Sequence, residues 1–411
     1  MKFFGWRMVF TGLTVEFTVI GFLFYSFPVI WPYLISELGM TESQLGMVSA
    51  FYFMPVAILA IFIGRALDKY SVKKFMMIGA IIYAVGLFSL SFVNSYWSLL
   101  TIYLTVLALG SIMMGNLAVA KLISNWFDKN AGRALGIAAV GISFSGVVLP
   151  LVVDPLLDIV GWRNVYIIFA SIILFIILPL IFFTVIDDPK SVNQMKDGIK
   201  KEDEEELIPQ EITAKDLLSK KVFWIISLAF AFQFLSMMGV LSFLPIHASK
   251  MGLDETWNLL GLPVKQFVFA YALSAFGGVL GKIIFGYLMD IMKAAYPSMM
   301  AMLLQAIGIF GITYFSEPSI FLMSAFIFGL GFGAAMPLMT ACYLRTFGAH
   351  NLGKARGISS PIVSPLQPVG ILITSILIGF QDTYFIAFNI MGCVALVAVV
   401  LASQIQEPEN I

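Results

Sequence analysis

Five polar side chains stand inside long apolar runs, where such groups are costly unless they are used or satisfied. Lys282 follows Gly281 and precedes Ile283, Ile284 and Phe285. Glu16 sits in the first apolar run, Tyr25 lies further along it, and Asn116 and Gln233 occupy two others. A charge at membrane depth is expensive and is a functional candidate by default. Lys282 can neutralise a carboxylate on a bound molecule; the competing reading has its long side chain snorkel to the nearby aqueous face. An ionised, unpaired Glu16 would cost several kcal/mol. It can carry a proton, balance Lys282 when no substrate is bound, or serve only as a protonated acid hydrogen-bonded to a neighbouring helix. The Asn116 amide can donate to a carboxylate oxygen or tie two helices together. Gln233 is a candidate polar group of a cavity, and the Tyr25 hydroxyl needs a partner in hydrocarbon. Together these groups are candidates for binding a polar ligand and for carrying a proton.

Bond-breaking chemistry finds no support in the sequence. There are two histidines and two cysteines. Cys342 and Cys393 lie in apolar runs, and no metal-ligand spacing is present. No Gly-x4-Gly-Lys-Ser/Thr loop for ATP occurs. An enzyme is therefore not expected, nor a cofactor, nor a metal. Net charge is zero, so no basic face for nucleic acid is implied.

The elements that must position these groups follow from composition. The chain has 411 residues, 60% hydrophobic and 12% charged. A soluble domain carries about 45–50% apolar and about 25% charged residues, so the excess apolar surface must face a lipid bilayer. Runs long enough to cross a membrane fall near 8–32, 45–65, 74–94, 97–120, 134–154, 163–185, 222–246, 264–288, 297–316, 319–343, 356–380 and 384–404. These are spans one to twelve. The first continues well past the length of a cleavable signal and is expected to act as an uncleaved insertion signal. A polar stretch at 186–221 splits the chain into six plus six. The expected fold is an all-α integral membrane protein with a bundle over 1–185, a cytoplasmic linker over 186–221 and a second bundle over 222–411.

Lysine and arginine placement sets the orientation. With an inside N-terminus, the cytoplasmic loops carry Lys2, Arg7, Arg65, Lys69, Lys73, Lys74, Lys129, Arg133, Lys293, Arg345, Lys354 and Arg356; the opposite loops carry Arg163, Lys250 and Lys265. Both termini are expected in the cytoplasm of a cell with the chain in its plasma or inner membrane. The halves also repeat. Gly64-Arg65-Ala66-Leu67-Asp68 after span two returns as Gly286-Tyr287-Leu288-Met289-Asp290 after span eight, and Arg133-Ala134-Leu135-Gly136-Ile137 returns as Lys354-Ala355-Arg356-Gly357-Ile358. Like-oriented repeats pack about an axis along the membrane normal, with a binding site near the midplane.

The first repeated signature has a mechanical use. Glycine permits close helix approach, and an aspartate can pair with basic groups or cap a helix end. Gly64, Asp68, Lys69, Arg133 and Asp290 thus form a candidate conformational latch. The plainer reading of the basic residues is topology alone.

Here the chain resembles the major facilitator superfamily: Gly64, Asp68, Lys69, Lys73 and Lys74 match its loop 2–3 signature, with Ser71-Val72 in place of the usual Gly-Arg. More narrowly it is similar to the monocarboxylate transporters and oxalate:formate antiporters. That likeness rests on Gly5-Trp6, Tyr25-Ser26-Phe27-Pro28, Asn125-Trp126-Phe127-Asp128-Lys129, Arg133 through Ala138 and Gly161-Trp162-Arg163. The resemblance implies twelve helices in two bundles related by pseudo-two-fold symmetry, alternating access and a functional monomer. It puts Lys282 where the family's arginine meets the substrate carboxylate and Asn116 at a substrate-contacting position. Phe332 and Met336 fall where it places cavity walls; helix packing is the alternative for both.

The departures from that family also inform. Val363 stands where the dicarboxylate antiporters keep a second cation, Val29 where animal members have a lysine, and Gly278 where they have an aspartate. One central cation suggests a monovalent acid of the lactate, pyruvate or formate class, with Glu16 carrying the proton. The alternatives are exchange of another organic anion such as oxalate, or a drug or sugar as cargo.

Overall fold

The computed structural model describes residues 3–128, 130–198, 213–259, 261–381 and 383–406. Lys2, Lys129 and linker residues 199–212 lie outside them. Among the described residues, eleven helical stretches are long and apolar enough to cross a membrane. They are Gly5–Leu38, Glu42–Lys69, Val72–Leu90, Tyr96–Trp126, Ala131–Thr184, Lys221–Leu241, Gln266–Ile291, Ala295–Tyr314, Pro318–Gly348, Asn351–Phe380 and Tyr384–Ala402. The Ala131–Thr184 stretch holds two spans. Gly161 adopts φ 77° and ψ 158° within it, a conformation that glycine reaches without Cβ strain, and the helix direction breaks there. Spans five and six therefore fall on either side of Gly161, and the chain is a twelve-span, multi-pass membrane protein.

Two compact units are present: Met1–Met40 with Val48–Glu204, and Thr41–Met47 with Glu205–Ile411. The start of span two belongs to the second unit. There Glu42 Oε1 lies 2.9 Å from Lys250 Nζ, and the Tyr384 hydroxyl donates to Glu42.

Without a hydrophobic drive between helices in lipid, close packing depends on small residues. Unit 2 uses them densely. A Cβ at Gly333 would lie 2.0 Å from the Gly278 carbonyl oxygen, and one at Gly281 would lie 2.2 Å from that of Leu330. Spans eight and ten thus touch backbone to backbone. In unit 1 the same device joins spans one and five, where a Cβ at Gly141 would lie 2.1 Å from the Leu13 carbonyl oxygen. Span two, the counterpart of span eight, is instead left bare. Met54, Ile58, Ile61 and Phe62 are all exposed.

Unit 1 also carries three π-helical turns, at Gly21–Tyr25, Tyr103–Leu107 and Ile173–Ile177. Among the described residues unit 2 has none. Such turns are frequent at functional sites. Both units interrupt the corresponding helix. Span four breaks at Gly115, with φ −85° and ψ −142°, and span ten breaks at Ala334. Between spans seven and eight, Thr256–Leu259 and Leu262–Lys265 form an antiparallel hairpin with Thr256 opposite Lys265.

Candidate functional site

In unit 1 the site grows from one face of span one. Gly12 lies against Val119, and Val19 lies against Gly115. Glu16 falls between them on the same helical face, at the level where span four is broken. Its side chain is 1% exposed. The Asn116 side chain, first residue after the break, hydrogen-bonds the Glu16 carboxyl. The second carboxyl oxygen, Oε2, is buried with no hydrogen-bond partner among the described residues. The structure thus brings together two groups that lie a hundred residues apart in sequence. Tyr25 ends the π-helical turn of span one, buried, with its ring edge-on to Phe24 at 5.4 Å.

The latch residues of unit 1 sit at the end of span two and the start of span five. Lys121 Nζ is 2.6 Å from Asp68 Oδ1, in the open, with the aspartate 70% exposed. The basic partner of Asp68 is therefore a residue of span four. Arg133 lies over the Trp6 ring at 5.9 Å, and Lys69 over Tyr70 at 5.6 Å. Gly64 does not mediate a close approach: a Cβ there would meet only Leu117, at 3.9 Å. Asp187 supplies a part the sequence did not announce. Its carboxylate accepts from Ser71 and from the Lys73 backbone N–H, capping the start of span three. Asn125 and Trp126 donate to the carbonyls of Asp187 and Ile186.

In unit 2, Lys282 is half-buried on span eight, about 14 Å from the end of that helix at the α-helical rise. One turn earlier, Gly278 leaves room for the Phe332 ring, whose atoms would come within 3.2 Å of a Cβ there. Phe332 is itself buried and packs on Phe328 at 5.0 Å.

Gln233 lies on span seven. It is fully buried, and its amide donates to the Gly331 carbonyl at 3.2 Å. Gln305, which the sequence reading did not single out, donates to the Gln233 carbonyl at 3.0 Å and to Ser236 Oγ at 2.6 Å. The pair ties spans seven, nine and ten together, while the side-chain oxygens of both amides are buried with no hydrogen-bond partner among the described residues. An amide in an apolar run signals a helix tie and a cavity group equally, which is why sequence could not separate them. Asp290 is exposed and makes no ion pair among the described residues. The end of span eight is held instead by Arg345, which donates to the Met289 and Met292 carbonyls.

Asn116 directly follows the break in span four, and Met336 lies two residues past the break in span ten. Residues 111–115 and 331–335 are all buried, and Asn116 and Met336 are both exposed. An amide is thus exposed beside the break in unit 1 and a thioether beside the break in unit 2. Asp154, on span five, is a further buried carboxylate that the sequence reading passed over.

Comparison with known proteins agrees with this architecture. The sequence profile of the Major Facilitator Superfamily matches residues 12–366. A probable hexose phosphate transport protein of Chlamydia trachomatis is 24% identical over 79% of this chain and 75% of its own length. An MFS-type transporter of Aspergillus niger, pynF, is 25% identical over 38% of this chain, which spans 36% of that relative. In structure, the chain resembles a bacterial homologue of the human lysosomal transporter Spinster in an inward-facing and occupied conformation. The TM-score is 0.72 at 14% identity, covering 99% of this chain and 98% of the other.

Proposed function

Because this chain belongs to the major facilitator superfamily, and is thus a membrane transporter, we propose that it moves a small monocarboxylate of the lactate, pyruvate or formate class together with a proton, by alternating access. The observation that carries the reading is the buried Glu16 carboxyl, hydrogen-bonded by Asn116 at the break in span four. A buried carboxylate is costly when charged and cheap when protonated, so proton loading and charge neutralisation are linked at this group.

Lys282 supplies the positive charge for the substrate carboxylate, and the Asn116 amide donates to it when Glu16 releases the bond. A carboxylate paired and hydrogen-bonded in this way crosses low dielectric at far smaller cost than a bare one. Phe332 and Tyr25 shape the apolar surroundings. Asp68 with Lys121, and Arg133 with Trp6, make the cytoplasmic contacts that must break and re-form. The protein works as a monomer in a plasma or inner membrane, with both termini in the cytoplasm.

A second reading, exchange of a phosphorylated organic anion, is favoured by the chlamydial relative's name. The test is uptake of labelled lactate into proteoliposomes with and without an inward proton gradient. Gradient-stimulated uptake supports the first reading. Uptake driven only by internal phosphate or sugar phosphate, indifferent to the gradient, sinks it in favour of the second.

A further inference from the structure

Span eleven carries a polar face that its counterpart in the repeat lacks. Arg356, Ser360, Ser364 and Gln367 are spaced four, four and three residues apart, which puts them on one side of a helix. With Phe234 and Met336 they line a recess within unit 2. The repeat offset, from Gly136 to Gly357, carries the four positions onto Leu135, Ala139, Ser143 and Gly146 of span five. The duplicated fold is its own control: the same helix position is built in unit 1 without a cation or an amide.

Span eleven is also interrupted at this level. Its helix stops at Val363 and resumes at Leu366, while span five runs on unbroken through the matching residues. Pro361 and Pro365 lack the N–H groups that would bond the carbonyls one turn earlier, which accounts for the break. Interrupted helices in transporters gather at sites for polar ligands. One turn apart on this face, the Ser360 and Ser364 hydroxyl oxygens lie 3.3 Å from each other. Behind them Ser359 is buried and donates to the Arg356 carbonyl at 3.0 Å, fixing the turn. The Arg356 side chain is exposed and makes no ion pair among the described residues.

We propose that this face of span eleven is a second oxyanion subsite. The Arg356 guanidinium takes a phosphate or a second carboxylate of an organic anion in the two-pronged geometry that suits both groups. Ser360, Ser364 and the Gln367 amide donate to its remaining oxygens, and Phe234 and Met336 lie along the carbon skeleton. The inference rests on the second reading above, an organic anion that carries a further charged group, and raises the number of anionic groups recognised from one to two.

The experiment measures binding of lactate, succinate and 3-phosphoglycerate to the purified full-length protein by isothermal titration. The variants are Arg356→Gln, Arg356→Lys and Ser360→Ala with Ser364→Ala. The wild type should bind one of the two-anion probes about tenfold more tightly than lactate. Arg356→Gln should remove that preference while shifting lactate less than about twofold, and Arg356→Lys should keep part of it. Preference for 3-phosphoglycerate assigns the phosphate, and preference for succinate the second carboxylate. No preference in the wild type, a preference that survives Arg356→Gln, or an equal loss on all three probes overturns the subsite. If Arg356→Gln does not fold, the double serine variant carries the test, with the same loss expected on the two-anion probe. A wild type that binds 3-phosphoglycerate but not lactate contradicts the monocarboxylate reading alone, and the Arg356 comparison still decides the subsite.

Discussion

Units 1 and 2 share a repeat and differ in what they do with it. Both break the same helix, at Gly115 and at Ala334, and both expose a side chain within two residues of the break. Unit 1 places an amide there, beside a buried carboxyl, and loosens its helices with three π-helical turns. Unit 2 places a methionine there, locks spans eight and ten together through glycines, and carries its cations on spans eight and eleven. Features kept in both units are demands of the fold. Features present in one are where chemistry has been added.

That contrast can be broken at several points. The largest effect belongs to the glycine seam of unit 2. Gly333→Leu puts a side chain where even a Cβ meets a carbonyl oxygen at 2.0 Å, and neither backbone can yield. The variant should fail to give monodisperse protein on size-exclusion chromatography. Gly64→Ala, in the open signature of unit 1, should melt within about 0.5–1 kcal/mol of the wild type, on the stable side if anything, since alanine is the better helix former.

Next comes acid stability. Buried His247 of unit 2 lies among the rings of Tyr384, Phe388 and Phe321, with Nε2 3.0 Å from the Ile312 carbonyl. Burial lowers its pKa from 6.5 to about 4. The unfolded chain therefore binds the extra proton first. Stability is full above pH 6.5 and falls as pH drops towards 4, by roughly 3 kcal/mol in all. His247→Leu should flatten that part of a melting-temperature profile against pH; an unchanged profile would remove His247 from the account.

Smaller again is the amide tie. Gln305→Leu removes the bonds to Ser236 Oγ and to the Gln233 carbonyl, which keep each other as partners, and should destabilise by about 0.5–1.5 kcal/mol in denaturant melts. The corresponding residue of unit 1, Tyr83, carries no amide and ties its helix to span one instead, its hydroxyl donating to the Val19 carbonyl at 2.9 Å. Smallest is the latch ion pair. Asp68→Asn removes an exposed contact that should contribute about 0.2–1 kcal/mol, and Asp290→Asn should change thermal stability less still. An Asp290 effect on stability larger than that of Asp68 would reverse the assignment of the two signatures.

Spans and repeat were legible in the sequence, and Glu16 and Asn116 stood out as a charge and an amide against an apolar background; that the two meet was not, because it depends on how spans one and four pack. Glycine roles were not. Gly64 carries the family signature yet sits in open space, while Gly333 carries no signature and is sealed between backbones. The difference lies in what faces each residue. Arg356 read only as an orientation charge, since a basic residue near a loop end serves topology wherever its side chain points. The Gln233–Gln305 tie was hidden for the same reason: an amide's partner is a matter of tertiary packing.

The central claim is that proton and anion are handled by unlike groups in the two halves, Glu16 and Lys282. It is tested most directly by counterflow and gradient-driven uptake of labelled lactate in the same proteoliposomes for Glu16→Gln and Lys282→Ala. The account predicts that Glu16→Gln keeps counterflow and loses the response to a pH gradient, whereas Lys282→Ala loses both. A Glu16→Gln protein still driven by the gradient, or a Lys282→Ala protein with full counterflow, would contradict it.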